Sequence, residues 1–194
     1  MKAFELYDIR KPYFGYEEIA RIRGISPASA KVTASRYVTQ GLLVRLKKNL
    51  YMLRQVWQTA GIEEKLRLAN LVQAPSYISL TTALAYYEVT TQIQQDFFES
   101  AALRRTKEVR IDGTVFRYTK IDTSLYFGFK REKGIFIASP EKALLDAFYL
   151  MSFGRYALDL AALDGNKLNL KSVRQLSNNY PVKTQHLVQS HGYL

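Results

Sequence analysis

Eight side chains in the first quarter of the chain are of the types that bind phosphates and base edges. They are Ser26, Ser29, Lys31, Ser35 and Arg36, followed by Arg45, Lys47 and Lys48. Hydroxyls near a helix start can hold phosphates, while Lys and Arg supply charge to a nucleic-acid backbone and donors to guanine edges. A second basic set, Arg104, Arg105 and Lys107, suits contact with nucleic acid or an acidic partner. The same charges could equally protect an exposed strand edge. A third set, Glu141, Lys142 and Asp146, combines acids with a lysine, as metal-dependent nucleases do. On a helix of 3.6 residues per turn, however, Glu141 and Asp146 lie roughly 140° apart and do not converge. Asp146 is expected to pair locally or with a basic strand residue. No catalytic residue, metal ligand or cofactor is assigned.

Composition narrows the chemistry further. The 194 residues carry 28 Lys and Arg against 17 Asp and Glu, a formal charge of +11, with no cysteine. That excludes a disulfide scaffold, a Cys-ligated metal and thiol catalysis. Two histidines, His186 and His191, both lie close to the end of the sequence, an awkward origin for a His-based site. The positive excess points to a polyanionic partner. Apolar content of 47% is sufficient for packed cores. No apolar run reaches the roughly 18 residues of a transmembrane candidate. Met1 to Leu6 lacks the long apolar core of a secretory signal, so a cytoplasmic location is expected.

The charge is uneven. Residues 1–55 hold 11 basic and 4 acidic side chains, whereas Arg104 to Lys133 holds nine basic and four acidic. The elements that must position the first set are legible. Phe4, Leu6 and Ile9 suit a short helix over 2–9. Tyr16 to Arg23 places acids in the first turn and arginines in the last, as the helix dipole favours, and Gly24 stops it. Ser26 caps a second helix, Pro27 starts it, and Gly41 ends it after Gln40. Ala30, Ala34, Tyr37 and Val38 share its inner side. Ala28, Ser29, Lys31, Val32, Ser35 and Arg36 form the outer one. Leu42 to Leu46 and Leu50 to Leu53 read as strands around the basic turn Lys47-Lys48-Asn49, where Asn tolerates positive φ. Helix, turn, helix and a cationic hairpin make a winged helix-turn-helix that would bind double-stranded DNA. A helical domain merely solvated by its charges, or a winged fold used for protein contact, are the other readings.

Residues 55–61 read as a connector, so the domains are set at 1–55 and 56–194. Ile62 to Val72 is predicted helical, Tyr77 to Ser79 a strand, and Ser79 the cap of a helix through Tyr87. Thr106 to Ile111 and Thr114 to Lys120 alternate around Asp112-Gly113, a hairpin signal, with Val109, Ile111, Val115 and Tyr118 facing a core. Phe127 to Phe129 and Gly134 to Ala138 add strands. Tyr126, Phe127 and Phe129, interleaved with Lys130, Arg131 and Lys133, could stack single-stranded bases or form a core with a charged rim. Ser139-Pro140 opens a helix to Leu150. Helices are predicted near Tyr156–Ala162, Leu170–Leu176 and Thr184–Val188. The fold class is α+β, a winged helix-turn-helix followed by a mixed α+β domain with a mostly antiparallel sheet.

Several segments carry a resemblance. Tyr77-Ile78-Ser79-Leu80 with Ala83-Leu84-Ala85-Tyr86-Tyr87, Arg104-Arg105-Thr106-Lys107, Phe127-Gly128, and Ile137 through Ser139-Pro140-Glu141-Lys142-Ala143-Leu144-Leu145-Asp146 resemble the AbiEi family. The Gly41 to Tyr51 wing is similar to that family's as well. These are antitoxins of type IV toxin–antitoxin (abortive infection) systems. The resemblance covers roughly residues 10–150. It implies that the first domain binds operator DNA and represses its own operon. It also implies that the second counteracts a nucleotidyltransferase-like toxin without a stable complex. A plain winged-helix transcription factor with a ligand-sensing or dimerising second domain remains open, as does a metal-dependent nuclease.

Overall fold

The computed structural model describes residue 6 and residues 9–92 and 94–194. Apart from Leu6 and Ile9, the short helix expected over 2–9 lies outside the described residues. Two compact units result, Met1–Lys65 and Leu66–Leu194.

In the first unit, α1 spans Tyr16–Arg23 and α2 spans Pro27–Thr39. Gly24 ends α1 at φ 59, ψ 35, a left-handed conformation that costs glycine nothing. Ser26 Oγ accepts the Ser29 amide at 3.2 Å, satisfying one orphan donor of α2 and contributing about 1 kcal/mol. β1 (Leu43–Lys47) and β2 (Leu50–Leu53) form the expected antiparallel hairpin, with an irregularity between Arg45 and Lys47. Phe14 adds a third short pairing, exchanging backbone bonds of 2.9 and 2.8 Å with Tyr51. The core beneath is Ile19, Ala30, Ala34, Tyr37, Leu43 and Tyr51, joined by Leu6, Ile9 and Phe14. The region predicted as a connector holds a one-turn helix, α3 (Arg54–Gln58), anchored by the buried Trp57. α4 runs over Ile62–Val72, as its pattern predicts.

The second unit is built on a six-stranded sheet. Its strands are β3 (Ser76–Ile78), β4 (Phe97–Ala102), β5 (Lys107–Ile111), β6 (Thr114–Lys120), β7 (Phe129–Glu132) and β8 (Ile135–Ala138), in the order β5-β6-β4-β3-β8-β7. Pairings β3–β4, β5–β6 and β7–β8 are antiparallel, while β3–β8 and β4–β6 are parallel, so the sheet is mixed with antiparallel pairs in the majority. Asp112 and Gly113 turn the β5–β6 hairpin at φ 45 and 87. The core face of β6 is Thr114, Phe116 and Tyr118, which are buried. Val115, expected inward, is half-buried on the other side because the two-residue alternation puts it out of phase with Tyr118.

Helices α5 (Leu80–Tyr86), α6 (Pro140–Ser152), α7 (Leu170–Ser177) and α8 (Val182–Ser190) complete the unit. α6 packs on α5, α7, α8 and β8 and is buried on nearly every side, which accounts for its almost uninterrupted apolar run. Two predicted elements are shorter than expected. Strand β7 begins at Phe129, since Gly128 turns the chain at φ 69. The helix expected over Tyr156–Ala162 reduces to a 3₁₀ turn at Leu160–Ala162, capped by Asp159.

Candidate nucleic-acid interface

α2 carries the predicted outer face on its solvent side. Ala28, Ser29, Lys31, Val32, Ser35 and Arg36 are all exposed, while Ala30, Thr33, Ala34 and Tyr37 are buried. Thr33 is an inward residue that the sequence reading did not include. The hydroxyls differ in what they can still donate. Ser26 Oγ caps the helix and donates to Ser29 Oγ at 3.0 Å, and Ser35 Oγ donates to the Lys31 carbonyl at 3.2 Å. The hydroxyl proton of Ser29 keeps no such partner among the described residues. Lys31 and Arg36 make no ion pair among the described residues.

The wing presents Arg45, Lys47 and Lys48 to solvent. Its tip is held by a residue that sequence reasoning valued only for its backbone. Asn49 adopts φ 54, as expected, but its side chain also reaches α1. Gly15 has no side chain with which to cap that helix, so Asn49 caps it from across the unit. Its Oδ1 accepts the Tyr16 amide at 2.8 Å, and its Nδ2 donates to both Glu17 carboxylate oxygens at 2.8 and 2.9 Å. At the other end of the hairpin Arg54 Nε donates to the Gly41 carbonyl at 2.8 Å, tying the start of β1 to the end of β2. The wing is therefore fastened at tip and base.

Two acids at the start of α1 are engaged within the unit. Glu17 is taken by Asn49, and Glu18 pairs with Arg21 at 2.7 Å and Lys11 at 3.4 Å. The hydrogen bond from Arg21 holds the Glu18 carboxyl below its ordinary pKa. Residues 24–60, which span α2 and the wing, contain six Lys and Arg and no Asp or Glu at all. That acid-free run is the sequence signal that would have delimited the interface most sharply. A run of basic residues with no acid in its own sequence favours a surface that exchanges small counter-ions for a polyanion.

Residues 1–54 match the family described as "Transcriptional regulator, AbiEi antitoxin". The match ends at the close of the wing hairpin, so the AbiEi-type segment and the basic interface coincide. No curated protein matches the chain in sequence. In fold, the chain is similar to the RV2827C protein from Mycobacterium tuberculosis, whose crystal structure superposes with a TM-score of 0.58 at 14% identity. The similarity covers 96% of this chain and 74% of that one.

The other candidate residues lie in the second unit, beyond the AbiEi-type segment. Arg104 and Arg105 are exposed on the loop between β4 and β5. Lys107 is half-buried, with Nζ 5.6 Å from the Tyr118 ring centre. Much of the surrounding basic cluster is compensated internally. Glu108 pairs with Arg110 at 2.6 Å and Arg117 at 3.2 Å, and Glu132 pairs with Lys130 at 2.8 Å. The aromatics of this stretch pack on one another: Phe129 stacks on Tyr77 at 4.5 Å and meets Tyr126 at 4.8 Å.

Glu141 and Asp146 do not converge. Glu141 accepts the Asn169 amide at 3.2 Å. Asp146 is fully buried, ion-paired with the equally buried Lys142 one turn away, and accepts from Tyr77 at 2.8 Å, Ser79 at 2.7 Å and Tyr180 at 2.8 Å. Ser79 was expected to cap α5. Instead its hydroxyl goes to Asp146, and α5 begins without a side-chain cap. Burial, and then the Asp146 charge, push the Tyr77 and Tyr180 hydroxyls well above the ordinary tyrosine pKa. Desolvation lowers the Lys142 pKa against the pull of Asp146. Gly128 lies against the Lys142 stem, where an added Cβ would come within 3.0 Å of its Cδ. No helix among the described residues is long and apolar enough to cross a membrane.

Proposed function

We propose that this protein is a DNA-binding transcriptional repressor and AbiEi-like antitoxin that acts by binding rather than catalysis. The observation that carries the reading is that α2 and the wing, with exposed Lys31, Arg36, Arg45, Lys47 and Lys48, come from a stretch without acidic residues that lies largely within the matched AbiEi segment. α2 enters the major groove of operator DNA. Lys31 and Arg36 supply charge and base contact, and Ser29, with Ser26 and Ser35 beside it, meets phosphates near the helix start. Arg45, Lys47 and Lys48 follow the backbone from the wing. The operator is its own promoter, and the second unit counteracts a nucleotidyltransferase-like toxin without a stable complex. The Arg104, Arg105 and Lys107 surface is available to an acidic partner in that second role.

A salt titration of binding to promoter duplex tests the DNA half. Changing both Lys47 and Lys48 to Ala should weaken binding to every sequence and reduce the slope of log K against log salt by about two. An unchanged slope would remove the wing from the interface. Co-expression with a neighbouring nucleotidyltransferase-like gene tests the other half, with rescued growth expected. Failure of rescue would leave the repressor role alone.

A further inference from the structure

We propose that Val32 is the specificity-determining residue of α2, and that it reads the C5 methyl group of a thymine in the major groove. The proposal deepens the winged-helix reading above and rests on it. At about 100° per residue, Val32 points directly away from the midpoint of Ala30 and Ala34, the two fully buried residues that seat the helix on its core. It is therefore the side chain that would penetrate furthest into a groove facing this helix.

Its neighbours on that face favour the same conclusion. Ala28 lies one turn before it, Ser29 and Ser35 beside it, and Arg36 one turn after. All but the arginine are short, so the valine methyls project beyond them. Val32 is 69% exposed, the highest value among the exposed large hydrophobic residues described. A singly exposed apolar residue is ordinary on a protein surface. This one, however, is β-branched, which disfavours helix, and it gains no packing in return. Two of the hydroxyls near it have no proton left for base readout. The Ser35 proton is committed to the Lys31 carbonyl, and Ser26 to the cap. In the major groove the apolar feature that distinguishes one base pair from the others is the thymine methyl. Val32 supplies an apolar probe for it, flanked by Lys31 and Arg36 for phosphate or guanine.

The test begins with selection of duplexes from a randomised DNA library by the full-length protein. Each thymine of the selected consensus is then replaced by uracil, which pairs identically and lacks only the methyl. At one thymine position, or its symmetry equivalent, replacement should weaken wild-type binding about fourfold, the transfer worth of one methyl group. Val32→Ala should bind thymine and uracil duplexes alike at that position, with an unchanged salt slope and unchanged thermal unfolding. The proposal is overturned if no thymine is sensitive, or if Val32→Ala keeps the sensitivity. Absence of any salt-dependent DNA binding by the wild type would overturn the winged-helix reading, and this one with it.

Discussion

Lys47 and Lys48 at the wing tip and Lys142 in the second unit carry the same side chain in opposite surroundings. The wing lysines are exposed and lie in a stretch without a single acid. Lys142 is fully buried, paired with Asp146, bonded to the Tyr180 hydroxyl at 2.6 Å, and enclosed by the rings of Tyr77, Phe127 and Tyr180. Charge at the wing is held at the solvent-exposed surface, where the proposed function has it meet a polyanion. The Lys142 charge is compensated internally, and its partners hold β3, α6 and the segment after α7 together. Both regions attract attention in the sequence as clusters of chemistry-bearing residues. Only burial and partner geometry separate an interface from an internal fastening.

The sharpest way to break this comparison is to remove one partner of the buried pair. Asp146→Ala strands the Lys142 ammonium and three hydroxyls, and should cost about 3–5 kcal/mol in chemical denaturation. Replacing the pair together, by Lys142→Met with Asp146→Leu, should recover only the part of that loss due to the stranded ammonium, since the Tyr77, Ser79 and Tyr180 hydroxyls still lose their acceptor. A loss below about 1 kcal/mol for Asp146→Ala would show that the pair is solvated, and would reopen a chemical role for these residues.

A smaller effect is expected at the wing. Asn49→Gly keeps the left-handed backbone but deletes the bonds to Tyr16 and Glu17, so the cationic tip loses its fixed position while keeping its charge. DNA affinity should fall severalfold with the salt slope preserved, because the number of neutralised phosphates is unchanged. If the slope falls as it should for the double lysine variant, Asn49 acts on the contacts themselves and not on their placement.

These long-range partners mark where sequence reading reached its limit. Helix ends were legible because their causes are local: Ser26 with Pro27, Gly24, and Ser139 with Pro140 lie within a turn of what they cap. The Asp112-Gly113 hairpin was legible for the same reason. The pairing of Asp146 with Lys142 is four residues apart and falls within the local pairing expected of it. Its hydroxyl partners Tyr77, Ser79 and Tyr180 stand 69, 67 and 34 residues away. No local rule diverts Ser79 from capping α5, and none sends Asn49 across 33 residues to cap α1. The parallel pairings β3–β8 and β4–β6 were hidden likewise, since a strand's own alternation does not name its neighbour. Of the interface, the residue types and the exposed face were readable, but which hydroxyls still had a proton to give was not.

The smallest expected effect comes from a second interior charge, held differently from Asp146. Glu99 on β4 is buried, and among the described residues no cation is paired with it as Lys142 is with Asp146; Tyr156 donates to its Oε2 at 2.7 Å, the Thr81 backbone also bonds to it, and Arg117 acts through its field. Burial therefore raises its pKa above the ordinary 4.5, with the Tyr156 bond opposing. The sign of the consequence follows from proton binding. At a pH below 4.5 both folded and unfolded chains hold the proton, and Glu99 carries no ionisation penalty. As pH rises, the unfolded chain releases its proton first while the folded chain retains it, so stability falls until the folded pKa is passed. Glu99→Gln has no proton to release and can still accept from Tyr156. Its stability relative to wild type should therefore increase as pH is raised from about 4 to about 7, by less than the loss at Asp146. A difference that does not change with pH would mean that Glu99 is as well compensated as Asp146, and that the second unit treats its interior charges alike.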